Sequence, residues 1–478
     1  MDFGIDFGTT NSACVGIQQQ KRAVKYTDGY GNPFPSLVII DRITGKVYCG
    51  REAWRNREKY SDSCEVIPSI KTYLGTNKTW KIKGKEWTPE MVAAEVFLGL
   101  KKQVVKKGAT ARLEEAVVAV PVGFPASKRV ALRKAAMRAG IKIKSFVSEP
   151  TAALFCHYEE IGFHSTIGVI DWGGGTLDIA IVENRKGRVR ELATGGLNLG
   201  GDHIDRKLAE WAHERIISEK KARISFEEMP PAARDKLIAS CEQAKKDLTY
   251  DDQVEISIGK YGELGTVRVV LDIDTFSSLI ASDVERAIEC FEQTLSRAKL
   301  SIEELGCILM VGGSVNLRPF SERASQKWHG KVFYPLESDW SVALGAASLS
   351  SNPGQYHLAQ TIGVTMSDGS LFPLVKEGDP VVPGKSTTFT FALVEDSPTA
   401  NFIFSDGNGT HLGYMNVPAF GFFREKIEVT AAIDSNLILE VVARSQKRST
   451  GTTQRWNYDK LRFNYQLPAT DLEVTADE

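Results

Sequence analysis

The sequence predicts an α/β region of two related halves followed by an all-β domain, and three observations lead there. Ile5-Asp6-Phe7-Gly8-Thr9-Thr10 near the start and Ile170-Asp171-Trp172-Gly173-Gly174-Gly175-Thr176 in the middle are near repeats of each other. Through residue 350, strand-like apolar runs alternate with amphipathic helical stretches. Beyond Ser350 helical periodicity disappears, and short runs of alternating apolar and polar residues take over between turn signals.

Each repeat follows an apolar run, turns at Asp-x-Gly, and re-enters apolar sequence at Ala13–Ile17 and Leu177–Val182. This is the pattern of a tight β-hairpin. Glycine lets backbone come close to an anion, and successive N–H groups at such a tip make a concave anion site. The aspartate before each turn is repelled by phosphate but is well placed to hold Mg²⁺ through water. Two facing hairpins of this kind would clasp a nucleotide polyphosphate.

Between and after the hairpins the elements follow in order. Ala116–Val120 reads as a buried strand, and Pro125 opens a helix that Gly140 closes. Leu199-Gly200-Gly201-Asp202 precedes a helix starting near Ile204. Further helices are expected over Ala232–Leu248 and Ile280–Ala298, and Cys307–Val311 is a short buried strand before Gly312-Gly313-Ser314. Ser350-Ser351-Asn352-Pro353-Gly354-Gln355 has linker composition. Strands follow at Ser386–Leu393, Ala400–Phe404, Lys426–Ala431 and Leu437–Ala443, with turns at 396–398, 406–409 and 434–436. We therefore expect domains at 1–350 and 361–478 joined by a linker over 351–360, the second a sandwich or partly open barrel.

Composition narrows the function classes. A net charge of −1 over 478 residues leaves no electrostatic footprint for nucleic acid. No apolar run reaches the length of a membrane span, and the first hairpin begins too close to Met1 to leave room for a secretory signal. The seven cysteines are scattered without a C-x-x-C pair, so they read as reduced core thiols of a cytoplasmic protein. The seven histidines show no metal-ligand spacing. Pro383-Gly384-Lys385-Ser386 carries the tail of a Walker A motif, but the earlier glycine is replaced by Asp379 and the setting is β. No G-x-G-x-x-G opens a helix. The Gly200-Gly201 and Gly312-Gly313 pairs fit either a ribose or base against backbone or a close helix–strand crossing. Glu242, Lys245 and Thr249 share one helix face, as either a nucleoside contact or a solvated surface.

Taken together, these residues resemble the ATPase domain of the seventy-kilodalton heat-shock chaperones, the DnaK-like family. Val118-Ala119-Val120-Pro121, Ser148-Glu149-Pro150-Thr151-Ala152-Ala153 and Asp339-Trp340-Ser341-Val342-Ala343-Leu344-Gly345-Ala346-Ala347 carry the resemblance further. It covers residues 1–350 with motifs in order. It continues more weakly over 361–445, where Glu395-Asp396, Ile427-Glu428-Val429 and Ile433-Asp434 are similar to the family's peptide-binding β-sandwich.

The resemblance implies an actin-like, two-lobed fold with ATP or ADP and Mg²⁺ in the cleft. It implies that Gly8, Thr9, Thr10, Asn11, Gly173, Gly174 and Gly175 meet the phosphates, and that Asp6 and Asp171 hold the Mg²⁺ water shell. Lys71 would reach the γ-phosphate and the attacking water, which Glu149 and Thr176 would position. Phosphoryl transfer needs mostly positioning and charge stabilisation, so such groups suffice. Gly200, Gly201, Asp202, Glu242, Lys245, Lys246, Thr249, Gly312, Gly313, Ser314, Asn316 and Asp339 would line the nucleotide site. Pro121 and Arg129 match the family's proline switch. Val364, Phe391, Val394 and Ile403 would line a peptide pocket for unfolded or extended polypeptide.

Departures accompany the match. The family often stacks adenine between two arginines, where this chain has Lys246 and Asn316. The acidic, leucine-rich linker is replaced by Gln355-Tyr356-His357-Leu358-Ala359-Gln360. Family positions that dock J-domain proteins fall at Ser145 and Ser148, and the arm gripped by nucleotide-exchange factors is shortened around Asp251–Thr266. The sequence closes on the sandwich without the helical lid, and Asn401 stands where the family has an apolar residue. The expected function is an ATP-hydrolysing chaperone. The alternative is an ATP-gated adaptor or assembly factor for one folded partner. A filament-forming actin relative and a sugar kinase share parts of the pattern. A trailing β-sandwich argues against the first, and the second lacks an assignable sugar-facing base.

Overall fold

A computed structural model describes residues 1–18, 22–60, 63–107, 111–185, 188–351, 356–358, 360–448, 450–456 and 463–466. They divide into two compact units: 1–122, 131–182 and 192–351 form one, and 123–130, 183–191 and 352–478 the other.

The first unit is built on two sheets with one plan. In the first sheet the strand order is Lys142–Ser148, Glu115–Val120, Asp2–Asp6, Asn11–Ile17, Ala23–Lys25. Asp2–Asp6 and Asn11–Ile17 form the antiparallel hairpin, and the strands beyond Asp2–Asp6 are parallel to it. The second sheet runs Val332–Phe333, Cys307–Val311, Thr166–Trp172, Leu177–Arg185, Arg188–Leu197. There too the strand entering the hairpin has parallel strands on its other side. The sequence repeat is thus a structural repeat: hairpin, third strand, then crossovers to two parallel strands. Parallel strands need both faces covered, which is why Ala116–Val120 and Cys307–Val311 are apolar throughout and fully buried.

Small residues set the spacing around the first hairpin. A Cβ on Gly4 would lie 2.1 Å from the backbone nitrogen of Ala347, so helix Ser341–Ser351 presses directly on strand Asp2–Asp6. A Cβ on Gly345 would lie 1.7 Å from the carbonyl oxygen of Ala152, so the same helix also meets helix Glu149–Cys156 backbone to backbone. This close packing fixes the start of Glu149–Cys156, and with it Glu149. Helix Ala126–Arg138 ends at Gly140, whose φ of +69° is the left-handed closure expected of glycine. The amphipathic helix Ile273–Arg297 begins seven residues before its expected start, capped by Asp272 accepting from the Thr275 N–H at 2.7 Å.

In the second unit two four-stranded antiparallel sheets run Leu371–Val375, Ile362–Thr365, Thr399–Asp406, His411–Pro418 and Ser386–Ala392, Lys426–Ile433, Leu439–Ser445, Thr452–Trp456. Their inward positions alternate along the strands: Ile427, Val429, Ala431 and Ile433 are buried, as are Leu439, Val441 and Ala443. The rings of Phe372 and Phe389, Phe372 and Phe391, and Phe391 and Phe402 meet edge to face between the sheets. Helix Ser341–Ser351 runs into the residues expected as linker because Leu349 and Ser350 are buried. Tyr356–Leu358, also expected as linker, is a strand paired with Phe463–Tyr465, whose other side pairs with Arg188–Arg190. Residues 352–355 and Ala359 of that segment lie outside the described residues.

Candidate active site at the two glycine hairpins

The two hairpin tips meet. A Cβ on Gly174 would lie 2.1 Å from Thr10 Oγ1, and one on Gly175 would lie 2.5 Å from Thr9 Oγ1. Only bare backbone fits between the threonines of one tip and the chain of the other. The second tip also seats the Gly200-Gly201 turn: Gly201 and Asp202 donate their N–H groups to the carbonyls of Gly173 (3.1 Å) and Gly174 (2.7 Å). Trp172, fully buried, donates its indole N–H to Leu199 O at 3.0 Å and packs edge-on against Phe320. Ser314 donates to Gly173 O at 2.9 Å. Gly312 has φ +84°, and a Cβ there would sit 2.7 Å from Asp171 Oδ1. Gly8, Thr9, Thr10, Gly173, Gly174, Gly175, Gly200, Gly201, Asp202, Gly312 and Ser314 are therefore assembled at one place.

Beneath the tips lies a buried charge cluster. Lys71 Nζ donates to Glu149 Oε1 at 2.6 Å, and both side chains are nearly inaccessible. Burial works against the ammonium, but the charges of Glu149, Asp6 and Asp178 outweigh it and hold the Lys71 pKa above its ordinary value. Asp6, Asp171 and Asp178 are all raised, first by burial and then by the charge of Glu149; Lys71 partly offsets this. The Thr176 hydroxyl acts on Asp178, which also accepts the Val122 N–H at 2.7 Å. Among the described residues no three His, Cys, Asp or Glu side chains gather closely enough to ligate a metal directly.

The remaining nucleotide-site expectations spread more widely. Lys245 is buried and spans Asp205 (2.7 Å) and Gly201 O (3.1 Å). Lys246 is exposed and pairs with Glu242 at 2.6 Å. Helix Pro231–Asp247 ends before Thr249, whose N–H is bonded to Lys246 O at 3.1 Å. Asn11, Gly313, Asn316 and Asp339 are exposed, and Pro121 is buried. Arg129, in the other unit, is buried and donates to Phe124 O at 2.8 Å.

The four expected peptide-pocket residues are not on one face. Val364 pairs with Phe404 on the buried side of its sheet and is 4% exposed, whereas Ile403 pairs with Thr365 on the outer side and is 48% exposed. Phe391 packs between Phe372 and Phe402, while Val394 projects outward. Asn401 shares the outer face with Ile403.

Three residues at the nucleotide-site cluster escaped the sequence reading. Asp178 is a charge inside the otherwise apolar run Leu177–Val182, and that anomaly was its available signal. Asp205, the partner of Lys245, carried no local signal. Ser69 adopts φ +54° just before Lys71 and donates to Asp202 Oδ2 at 3.0 Å, while Thr10 donates to Oδ1 at 2.8 Å.

Two sheets of like order, each ending in a glycine hairpin over a shared charge cluster, define an actin-like ATPase domain, here followed by antiparallel β-sheets. The chain belongs to the Hsp70 protein family, whose profile matches residues 76–352. It is 29% identical over 469 residues to the chaperone protein DnaK of Mycoplasma mobile, covering 93% of this chain and 76% of that protein. It is 28% identical over 466 residues to the chaperone protein DnaK of Mycoplasmopsis agalactiae, with the same coverage. No helix among the described residues is long and apolar enough to cross a membrane.

Proposed function

We propose that this protein is an ATP-hydrolysing chaperone of the DnaK type that binds unfolded or extended polypeptide through its C-terminal β-domain, residues 361–478. The observation that carries the reading is the buried Lys71–Glu149 pair set among Asp6, Asp171 and Asp178 beneath two meeting glycine hairpins.

The residues present suit magnesium and a polyphosphate. Three buried carboxylates, Glu149, Asp171 and Asp178, and the half-buried Asp6 face one ammonium, an excess of negative charge that favours a bound cation. The Thr9 hydroxyl and the bare backbone at the tips offer O–H and N–H donors to an anion, and Thr10 could join them by releasing Asp202. When bound, magnesium would neutralise charge on the phosphate oxygens. Asp6 and Asp171 would hold its water shell, and Thr9, Thr10 and Gly173–Gly175 would hold the phosphates. Lys71 would place its ammonium against charge developing on the transferred group, with Glu149 fixing that ammonium. Glu149 and Thr176 would orient the attacking water.

Lys71→Ala tests the reading. ATP should still bind, but turnover should fall by about two to three orders of magnitude, because a charge acting on the transition state is lost, a deficit on the order of 3–4 kcal/mol. Turnover at the rate of the unaltered protein would remove Lys71 from catalysis.

The adaptor reading draws on the outward, exposed Asn401 beside Ile403. A peptide array separates the two. Binding of many short apolar peptides supports the chaperone, and capture of a single folded partner supports the adaptor.

A further inference from the structure

The turn 419–425, between strands His411–Pro418 and Lys426–Ile433, presents more apolar surface than any folding role requires. Phe420, Phe422 and Phe423 are 58%, 40% and 54% exposed, and Val394 on the adjoining turn is 76% exposed. Exposed aromatics this closely spaced mark binding surfaces.

The turn is held rather than loose. Glu425 is buried, and its carboxylate accepts the N–H groups of Phe420 (2.8 Å) and Gly421 (2.9 Å) and the Ser445 hydroxyl. Gly421 has φ +93° and Arg424 φ +61°. The Arg424 N–H bonds to Leu393 O, and the Leu393 N–H to Glu425 O, both at 3.0 Å, which ties the turn to the one bearing Val394. A fixed aromatic surface loses little conformational entropy when it binds.

Each ring carries a cation. Lys447 Nζ lies 4.2 Å from the centre of Phe422, and the Arg448 and Arg424 guanidinium groups lie 4.9 and 5.1 Å from Phe420 and Phe423. Among the described residues none of these three cations has a carboxylate partner within ion-pair distance. The local acids are engaged differently: Glu425 faces inward, and Asp396 accepts the Phe423 N–H at 2.6 Å. Glu395 and Asp396 are both exposed on the turn bearing Val394 and subtract two charges from the three cations, leaving +1. The outward balance stays positive around an apolar centre.

We propose that Val394, Phe420, Phe422 and Phe423, collared by Arg424, Lys447 and Arg448, dock a polypeptide segment whose apolar core is flanked by acidic residues. This deepens the client-binding reading above and rests on it. The aromatic tip would cover the apolar core, and the cations, of which Arg448 also donates to Ala419 O at 3.1 Å, would select acidic flanks.

The test uses the full chain and two fluorescent peptides with one apolar core, flanked by glutamates in one and by lysines in the other. Anisotropy should show the acidic peptide binding at least about fivefold tighter at low salt, with the gap closing as salt screens the charges. Lys447→Glu should erase or reverse the preference while basal ATP turnover stays unchanged. Phe422→Ser with Phe423→Ser should weaken both peptides, with melting curves confirming the fold. Equal or tighter binding of the basic peptide overturns the proposal while leaving the client reading intact. Failure of both peptides, in protein that still turns over ATP, overturns the two together. Docking on anionic vesicles without discrimination between the peptides would assign the surface to lipid instead.

Discussion

Lys245 shows how a residue can sit at a binding site and still be held by the fold. Its ammonium bridges Asp205 and Gly201 O, and the helix-start turn at Gly201 is itself docked on the Gly173-Gly174 tip. Burial raises the Asp205 carboxyl to about 6 even with Lys245 beside it. Lys245→Ala strands that carboxylate, so it should cost about 3–5 kcal/mol of stability, measurable by thermal melting without nucleotide. Lys245→Met with Asp205→Leu should recover most of that loss, because an apolar pair of similar volume avoids the desolvation cost. If the single variant melts like the unaltered protein, Lys245 is free to serve the nucleotide alone. Asn316 is the opposite case, since it is exposed and ends the short turn after Gly312. Asn316→Arg would supply a flat cation where the family stacks one on adenine. ATP affinity by calorimetry should then rise by roughly 0.5–2 kcal/mol. An unchanged affinity would mean that position 316 does not face the base.

At the scale of elements, what the sequence revealed depended on how local the determinants were. The Asp-x-Gly hairpins, the strands Glu115–Val120 and Cys307–Val311 and the helix closed at Gly140 are specified by residues within a few positions of one another, and these were read correctly. Helix Pro89–Lys107 was missed because much of its surface is buried, which leaves little amphipathic contrast to detect. Strands Ile362–Thr365 and Leu371–Val375 are short, and their apolar residues matter only through pairing. Glu425 was invisible as a turn-former because its carboxylate reaches back to the N–H groups of Gly421 and Phe420 at no recognised turn spacing, and its third donor, Ser445, is a neighbour only across the sheet. Burial pulls its carboxyl upward, but the bonds from Ser445, Phe420 and Gly421 outweigh that and hold it below the ordinary 4.5. A depressed folded value contributes stability above the unfolded pKa and loses it as pH falls through the folded one. Glu425→Gln should therefore destabilise the β-domain by about 1.5–3 kcal/mol at pH 7, the worth of charge-assisted bonds. Denaturant titrations should show that deficit shrinking as pH falls below the ordinary 4.5 and through the lowered folded value, where the native carboxyl protonates. A pH-independent deficit would mean the charge is immaterial and only shape matters.

At the scale of the whole molecule, the second unit is not simply the C-terminal part of the chain. It includes 183–191 as well as residues from 352 onward, so strand Arg188–Leu197 starts in one unit and finishes in the other. Within that second unit, strand Phe463–Gln466 lies between Arg188–Arg190 and Tyr356–Leu358 and pairs with both. Nothing local in the sequence announced this, because a four-residue strand that completes a distant sheet carries no periodicity of its own. Ending the chain at Trp456 would remove the middle strand and leave two edges with unmet N–H and C=O groups, the usual template for association. The eight strands of the two β-sheets all lie before that point and keep their partners. The shortened protein should therefore fold but self-associate, with light scattering rising with concentration. The charge cluster under the hairpins is untouched by this change, so basal turnover in the monomeric fraction should stay within about threefold of the full chain, less than roughly 0.7 kcal/mol of coupling. A larger drop, in material shown to be monomeric, would mean that the second unit acts on the hairpin site through the strands that pass between them.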